Sequence, residues 1–112
     1  MAELSKELLT KSYEAIEVAR KTGKIRKGTN EVTKAVERGT AKIVFVAADV
    51  NPPEITMHFG PLCKEKNIVL VFVPSREELG AAAGLNVPTV GVAITDEGDG
   101  KDLVKELITK VK

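Results

Sequence analysis

"AKIVFVAA", residues 41–48, decides how the chain folds. Ile43, Val44, Phe45 and Val46 follow one another with no polar alternation. A strand with one wet face alternates apolar and polar side chains, so an unbroken run of this kind reads as a strand covered on both faces. Two further runs resemble it downstream, "IVLVFV" at 68–73 and "TVGVAIT" at 89–95. The segments between them have helical rather than strand periodicity, and strands alternating with helices imply an α/β/α sandwich.

Working outward, Leu4, Leu8, Ala15, Ile16 and Ala19 recur at mostly helical spacing, predicting a helix over 5–21 that Gly23 stops. Lys24 to Lys27 read as a short strand or an extended connector. Thr29 is the expected N-cap of a second helix, whose buried stripe is Val32, Ala35 and Val36 and whose end is Gly39. Pro52 or Pro53 fits the first turn of a helix running to about Lys66, with Gly60-Pro61 expected to kink or interrupt it. Pro74-Ser75 leads into a helix through Leu79 to Ala83 that Gly84 closes. "DEGDG" at 96–100 turns into a last helix carrying Leu103, Val104, Leu107, Ile108 and Val111. No linker, repeat or low-complexity tract divides the chain, so residues 1–112 read as one domain.

The composition, 43% hydrophobic and 29% charged, is ordinary for a globular domain. No apolar run approaches the roughly 20 residues of a membrane span, and "MAELSKELL" lacks a signal peptide's layout. The single cysteine, Cys63, has no partner for an internal disulfide, and the expected location is the cytoplasm. A net charge of +1 conceals a marked asymmetry. From Arg20 to Lys42 there are eight cations and two anions, while the remainder carries 9 Lys/Arg against 14 Asp/Glu. A basic segment on an acidic body is the electrostatic footprint of a polyanion-binding surface, although a solvated helix face has the same composition.

Few residues offer other chemistry. "GKIRKGT" resembles a phosphate-binding loop, but Thr29 stands where the pattern needs lysine. His58 and Cys63 fall on different helix faces without a second ligand pair, so neither a metal nor any other cofactor is expected. Cys63 reads as a buried structural thiol, and Asp49, at the end of strand 41–48, as a turn or helix-capping aspartate.

The basic segment is more informative. Asn30, Lys34 and Arg38 lie at i, i+4 and i+8 on the second helix, turned away from its apolar stripe, with Glu31 one step round. Lys24, Arg26 and Lys27 precede them as a cationic collar suited to phosphate. A carboxylate accepts hydrogen bonds from guanine's amino and imino edge, and an amide satisfies a paired donor and acceptor. Backbone N–H groups after Gly28 are available to phosphate oxygens. A-form RNA has a major groove too deep and narrow for such reading, which favours an RNA opened by a bend, bulge or loop. The alternative for the same residues is a helix start in which Glu31 complements the dipole and pairs with Lys34. In the loop "GLNVPT", Leu85, Val87 and Pro88 offer an apolar tip for unstacked nucleotides or a protein, unless Leu85 and Val87 turn inward.

"KGTNEVTKAVERG" (27–39), "FVAADVNPPEI" (45–55), "LCKEKNI" (62–68), "VFVPSREELGAAAG" (71–84) and "NVPTVGVAI" (86–94) together resemble the archaeal kink-turn RNA-binding ribosomal proteins of the seven-Ae type. Relatives of that family include a eukaryotic spliceosomal and box C/D small-nucleolar protein. The similarity runs through nearly the whole chain in order. It implies a three-layer α/β/α fold with a mixed four-stranded sheet and a non-enzymatic role. The implied targets are kink-turns and K-loops in large-subunit rRNA, box C/D and H/ACA guide RNAs and RNase P RNA. The implied partners are fibrillarin with its Nop-domain scaffold, and the H/ACA pseudouridine synthase complex.

By the same resemblance, Asn30, Glu31 and Lys34 match the residues that read tandem sheared G·A pairs. Lys27, Gly28 and Thr29 match the backbone-contacting approach to the helix, and Asn51, Ile55 and Arg76 the holders of a flipped-out bulge nucleotide. Leu85, Asn86, Val87, Pro88 and Val90 match its apolar contact. The chain departs from the pattern at Asn51, where acidic residues are common, at Asn86, where many archaeal members have glutamate, and at Val87, where the eukaryotic relative has arginine. These departures bear on the choice of bulge nucleotide and leave the G·A-reading trio intact. Two other readings stay open at this point: a protein-interaction scaffold using the 85–89 loop, and a small α/β enzyme or phosphocarrier using Cys63 or Asp49.

Overall fold

The structure is a computed structural model that describes residues 5–49 and 57–111. The expectations resting on Leu4, on Asn51, Pro52, Pro53 and Ile55, and on the Val111 side chain lie outside what it describes.

Helix α1, Lys6–Thr22, starts where the Ser5 hydroxyl accepts the Leu8 N–H at 3.1 Å. It ends at Gly23, whose N–H reaches the Ala19 carbonyl. The chain then forms β1 (Lys24–Lys27), α2 (Thr29–Glu37) and β2 (Ile43–Ala47). These are followed by α3 (Phe59–Glu65), β3 (Val69–Val73), α4 (Arg76–Ala82) and β4 (Gly91–Asp96). A short 3-10 turn at Gly98–Gly100 runs into α5 (Lys101–Val111). The strands make one four-stranded sheet in the order β1-β4-β2-β3. β2 and β3 are parallel, and β4 is antiparallel to both β1 and β2, so the sheet is mixed as expected.

β2 explains the opening run. Every residue from Ile43 to Ala47 is buried. Its side chains alternate between two cores: Ile43 and Phe45 face α1, α4 and α5 with Ile16, Leu79 and Leu107, while Val44 and Val46 face α2 and α3 with Val32, Val36 and Phe59. A strand between two helical layers has no wet side, hence no polar alternation.

Two local expectations shift, one in position and one in the residue concerned. α3 begins at Phe59 after a turn at Met57 and His58, so the interruption falls just ahead of Gly60 and Pro61, which occupy the first turn of α3. Backbone N–H groups in a first turn have no intrahelical partner, so proline's missing N–H costs nothing there, and the first helical bond comes from Leu62 to the His58 carbonyl at 3.2 Å. Thr29 is not the N-cap of α2. That position belongs to Gly28, and Thr29 is the first helical residue.

Candidate nucleic-acid interface

The site grows from the join between β1 and α2. Gly28 has φ 93°, a left-handed conformation that costs an ordinary side chain strain, and it turns the chain from strand to helix in one residue. Its N–H donates to the Gly91 carbonyl at 3.0 Å and its own carbonyl accepts the Val32 N–H at 3.0 Å. No side chain caps the helix start. The first-turn N–H groups therefore point outward without a capping oxygen, and the Asn30 amide is not used as a cap.

From this start α2 buries Val32, Ala35 and Val36 and leaves Asn30, Glu31, Lys34 and Arg38 exposed. Glu31 and Lys34 approach to 4.0 Å with each side chain just over half exposed, an ion pair that water screens and an incoming ligand can break. The pairing expected between them is present, but it is loose. On the opposite flank of the helix, the Thr33 hydroxyl donates to the Thr29 carbonyl at 2.7 Å and sits 2.9 Å from His58 Nε2, tying the start of α2 to the start of α3. Lys24, Arg26 and Lys27 are exposed along β1, which is an edge strand, not a loose connector.

Strand register gathers the remaining candidates. Lys27 pairs with Val92, Val46 with Gly91 and Ala47 with Val73, so β1, β2 and β3 end where β4 begins. The start of α2, Asp49, Arg76 and the loop before β4 therefore share one end of the sheet. Across four strands spaced about 4.8 Å apart, that end is roughly 15 Å wide. Asp49 Oδ1 accepts the Arg76 backbone N–H at 3.0 Å and lies 3.6 Å from its Nε. It caps α4 from a neighbouring strand, alongside Ser75, whose hydroxyl accepts the Glu78 N–H at 3.3 Å. The expected capping role is thus realised through space, and the same carboxylate positions the Arg76 side chain.

The loop before β4 divides its apolar residues. The Leu85 N–H donates to the Gly80 carbonyl at 2.9 Å, and Leu85 is half-buried against the α1-side core, as is Val90. Val87 is 63% exposed, and Asn86 and Pro88 are exposed beside it. The three-residue apolar tip expected from the sequence is really two residues, because Leu85 turns in. Gly80 allows the loop to lie on α4, since a methyl group there would overlap the Val87 carbonyl oxygen. Leu85 to Pro88, with Glu77 and Ala81, border a hollow of about 320 Å³. Asn51 and Ile55 lie outside the described residues.

A second recess escaped the sequence reading. Arg26 on β1 and Lys34 and Arg38 on α2 line a hollow of about 220 Å³ with Glu31, Ala35, Thr40 and Thr95. Its only sequence signal was that Arg26, every second residue along a strand, and Lys34–Arg38, every fourth along a helix, could meet if strand and helix packed side by side.

Cys63 is buried, and burial pushes its thiol up to about 11. At about pH 8 that leaves about one thiolate per thousand, so the folded protein should resist an aromatic disulfide reagent and react quickly only in denaturant. A stoichiometric burst with native protein would contradict this placement.

Known proteins resemble the chain over most of its length. The family model described as "Ribosomal protein L7Ae/L30e/S12e/Gadd45 family" matches residues 10–104. The solved structure titled "Giardia lamblia 15.5kD RNA binding protein" superposes with a TM-score of 0.93 at 32% identity, covering 99% of this chain and 92% of that one. Shared sequence over that span, together with the mixed sheet and its flanking layers, leads to one conclusion: the chain belongs to the ribosomal protein L7Ae/L30e/S12e/Gadd45 family.

Proposed function

We propose that this protein binds kink-turn and K-loop RNA, stabilises the bent form and nucleates ribonucleoprotein assembly. One observation carries the proposal: Asn30, Glu31 and Lys34 stand exposed on the uncapped first turns of α2, at the end of the sheet that also holds Arg76 and the exposed Val87. The family membership and the RNA-binding neighbour support it. Asn30 and Glu31 bond base edges that a regular A-form groove hides, so binding energy is gained only on the bent conformer, and the protein works by shifting that population. Lys24, Lys27 and the α2 start hold phosphates, while Val87, Pro88 and Arg76 face a bulged nucleotide.

The RNAs proposed are rRNA, box C/D and H/ACA guide RNAs and RNase P RNA, within cytoplasmic particles. Fibrillarin with its Nop-domain scaffold, and the H/ACA pseudouridine synthase complex, would dock on the bent RNA and supply the chemistry. A binding role rather than a catalytic one fits Cys63, whose thiol is held neutral, and Asp49, which is engaged by Arg76.

A gel shift comparing a kink-turn with an unkinked duplex of the same composition, over a salt series, tests the proposal. The kink-turn complex should persist at salt concentrations where duplex binding has vanished. Equal affinity for both RNAs at every salt concentration would overturn it. An RNase-insensitive protein complex that ignores mutation of Asn30 and Glu31 would instead support a scaffold built on the 85–89 loop.

A further inference from the structure

We infer that the outer edge of β3 is a self-complementary surface on which a second copy of this chain pairs antiparallel, making a twofold dimer. The inference stands apart from the RNA-binding reading. Among the described residues, β3 has one neighbour in the sheet, β2. The Ala48 N–H donates to the Val73 carbonyl at 2.7 Å, so Val73 turns its backbone groups toward β2, and by strand alternation Val71 and Val69 do the same. Leu70 and Phe72 turn theirs outward, and no described residue bonds to them there. Each residue thus offers one N–H and one C=O at the edge. Both ends of this row are closed. The Ile68 N–H is taken by the Cys63 carbonyl at 2.8 Å, and Pro74 has no N–H to give.

These groups match themselves in one register. With Leu70 opposite the second copy's Phe72, each N–H meets a C=O, and the twofold repeats the exchange with the roles reversed. Placing Leu70 opposite itself would leave the Phe72 carbonyl facing the occupied Ile68 N–H, and placing Phe72 opposite itself would leave the Leu70 carbonyl facing Pro74. The side chains agree with the first arrangement. On the α2 side of the sheet Leu70 then meets Phe72 and Ile68 meets Pro74; on the α1 side Val71 meets itself and Val69 meets Val73. Every facing pair is apolar, and Ile68, Val69, Leu70 and Phe72 are only half-buried in the single chain, so apolar surface is left to cover. No charge stands between Lys66 and Arg76, whereas β1, at the opposite edge, carries Lys24, Arg26 and Lys27. A second copy is the occupant that fits, because it presents the same groups in reverse order. A twofold pairing uses the β3 edge of both copies, so assembly stops at two. So short a contact belongs to the weak, concentration-dependent class. Val73 lies at the end of the sheet where α2 starts, so antiparallel pairing sets the two candidate RNA sites at opposite ends of the joined sheet.

Sedimentation equilibrium of the RNA-free full chain, over about a hundredfold concentration series, tests the inference. The mass should rise from 12.0 kDa toward twice that value. Amide exchange at Leu70 and Phe72 should slow with the paired fraction, by about tenfold once about nine chains in ten are paired. Exchange at Val71, whose N–H already points to β2, should not change. Leu70→Lys and Phe72→Glu should each sediment as monomers, and an equimolar mixture should recover the dimer, because the register sets the two introduced charges opposite each other. Mixing Leu70→Lys with Leu70→Glu should recover far less. A parent chain that stays monomeric at every concentration overturns the inference, as does a dimer whose Leu70 and Phe72 amides exchange as fast as in the monomer. Equal recovery in the two mixtures overturns the register. If a variant does not fold, exchange in the parent decides alone. None of these outcomes bears on kink-turn binding, which the gel shift reads separately.

Discussion

Phe45→Ala is expected to destabilise the fold by about 3–5 kcal/mol, the usual range for truncating a buried phenylalanine. Phe45 is fully buried at the middle of β2, a central strand, and packs in the core shared with α1, α4 and α5. Removing the ring forfeits its transfer energy and leaves a hole that the rigid sheet on one side and three helices on the other cannot collapse to fill. Since a domain this size holds about 5–15 kcal/mol in total, the variant should sit near the limit of stable folding. Denaturant titration checks this through a lowered midpoint at unchanged slope. Phe72→Ala provides the comparison: Phe72 is only half-buried on the edge strand β3, and its loss should be clearly smaller. Equal costs at both positions would show that β2 is not the centre of the packing.

Glu31→Ala should have the opposite profile, with little effect on the fold and a large effect on RNA. Its only ion pair among the described residues, the loose contact with Lys34, is exposed, so stability should change by less than about 0.5 kcal/mol. Binding to a kink-turn should weaken by at least about 1 kcal/mol, the scale of one good base contact, if the carboxylate accepts from a guanine's two donors as proposed. Lys34→Ala should lose a similar amount. Calorimetric titration against one kink-turn reads the loss, and replacing the RNA's G·A pairs with Watson–Crick pairs should make parent and variant equal. If Glu31→Ala binds the kink-turn as tightly as the parent does, α2 does not read bases.

Much of the fold was legible because burial leaves a pattern. The unbroken run in β2 required two covering layers, and Val32, Ala35 and Val36 fixed which side of α2 faces inward, hence which side carries Asn30, Glu31, Lys34 and Arg38. What misled was local chemistry settled by distant contacts. Threonine is a good cap by propensity, but Gly28 is tethered to Gly91 and takes the capping position first. Leu85 and Val87 look equivalent in sequence, but Leu85, bonded through its N–H to Gly80, packs inward and Val87 stays out. The recess was hard to see for a similar reason: Arg26 and Arg38 line it together where β1, held in the sheet by β4, runs beside α2. Helix spacing defined an exposed polar face and groove geometry favoured an opened RNA, while the kink-turn as the specific expectation came from resemblance alone.

β1 also stands at an open edge of the sheet. An exposed edge is a row of backbone groups onto which a second copy's strand can zip, the first step toward fibrillar stacking. Lys24, Arg26 and Lys27 forbid that step, since two such edges brought together would set like charges against each other. The same cations would therefore serve the chain twice, drawing in nucleic acid when it is present and insulating one molecule from the next when it is not. Silencing the collar by neutralising all three would remove both properties together, so a variant meant only to release RNA would also lose its protection against self-association.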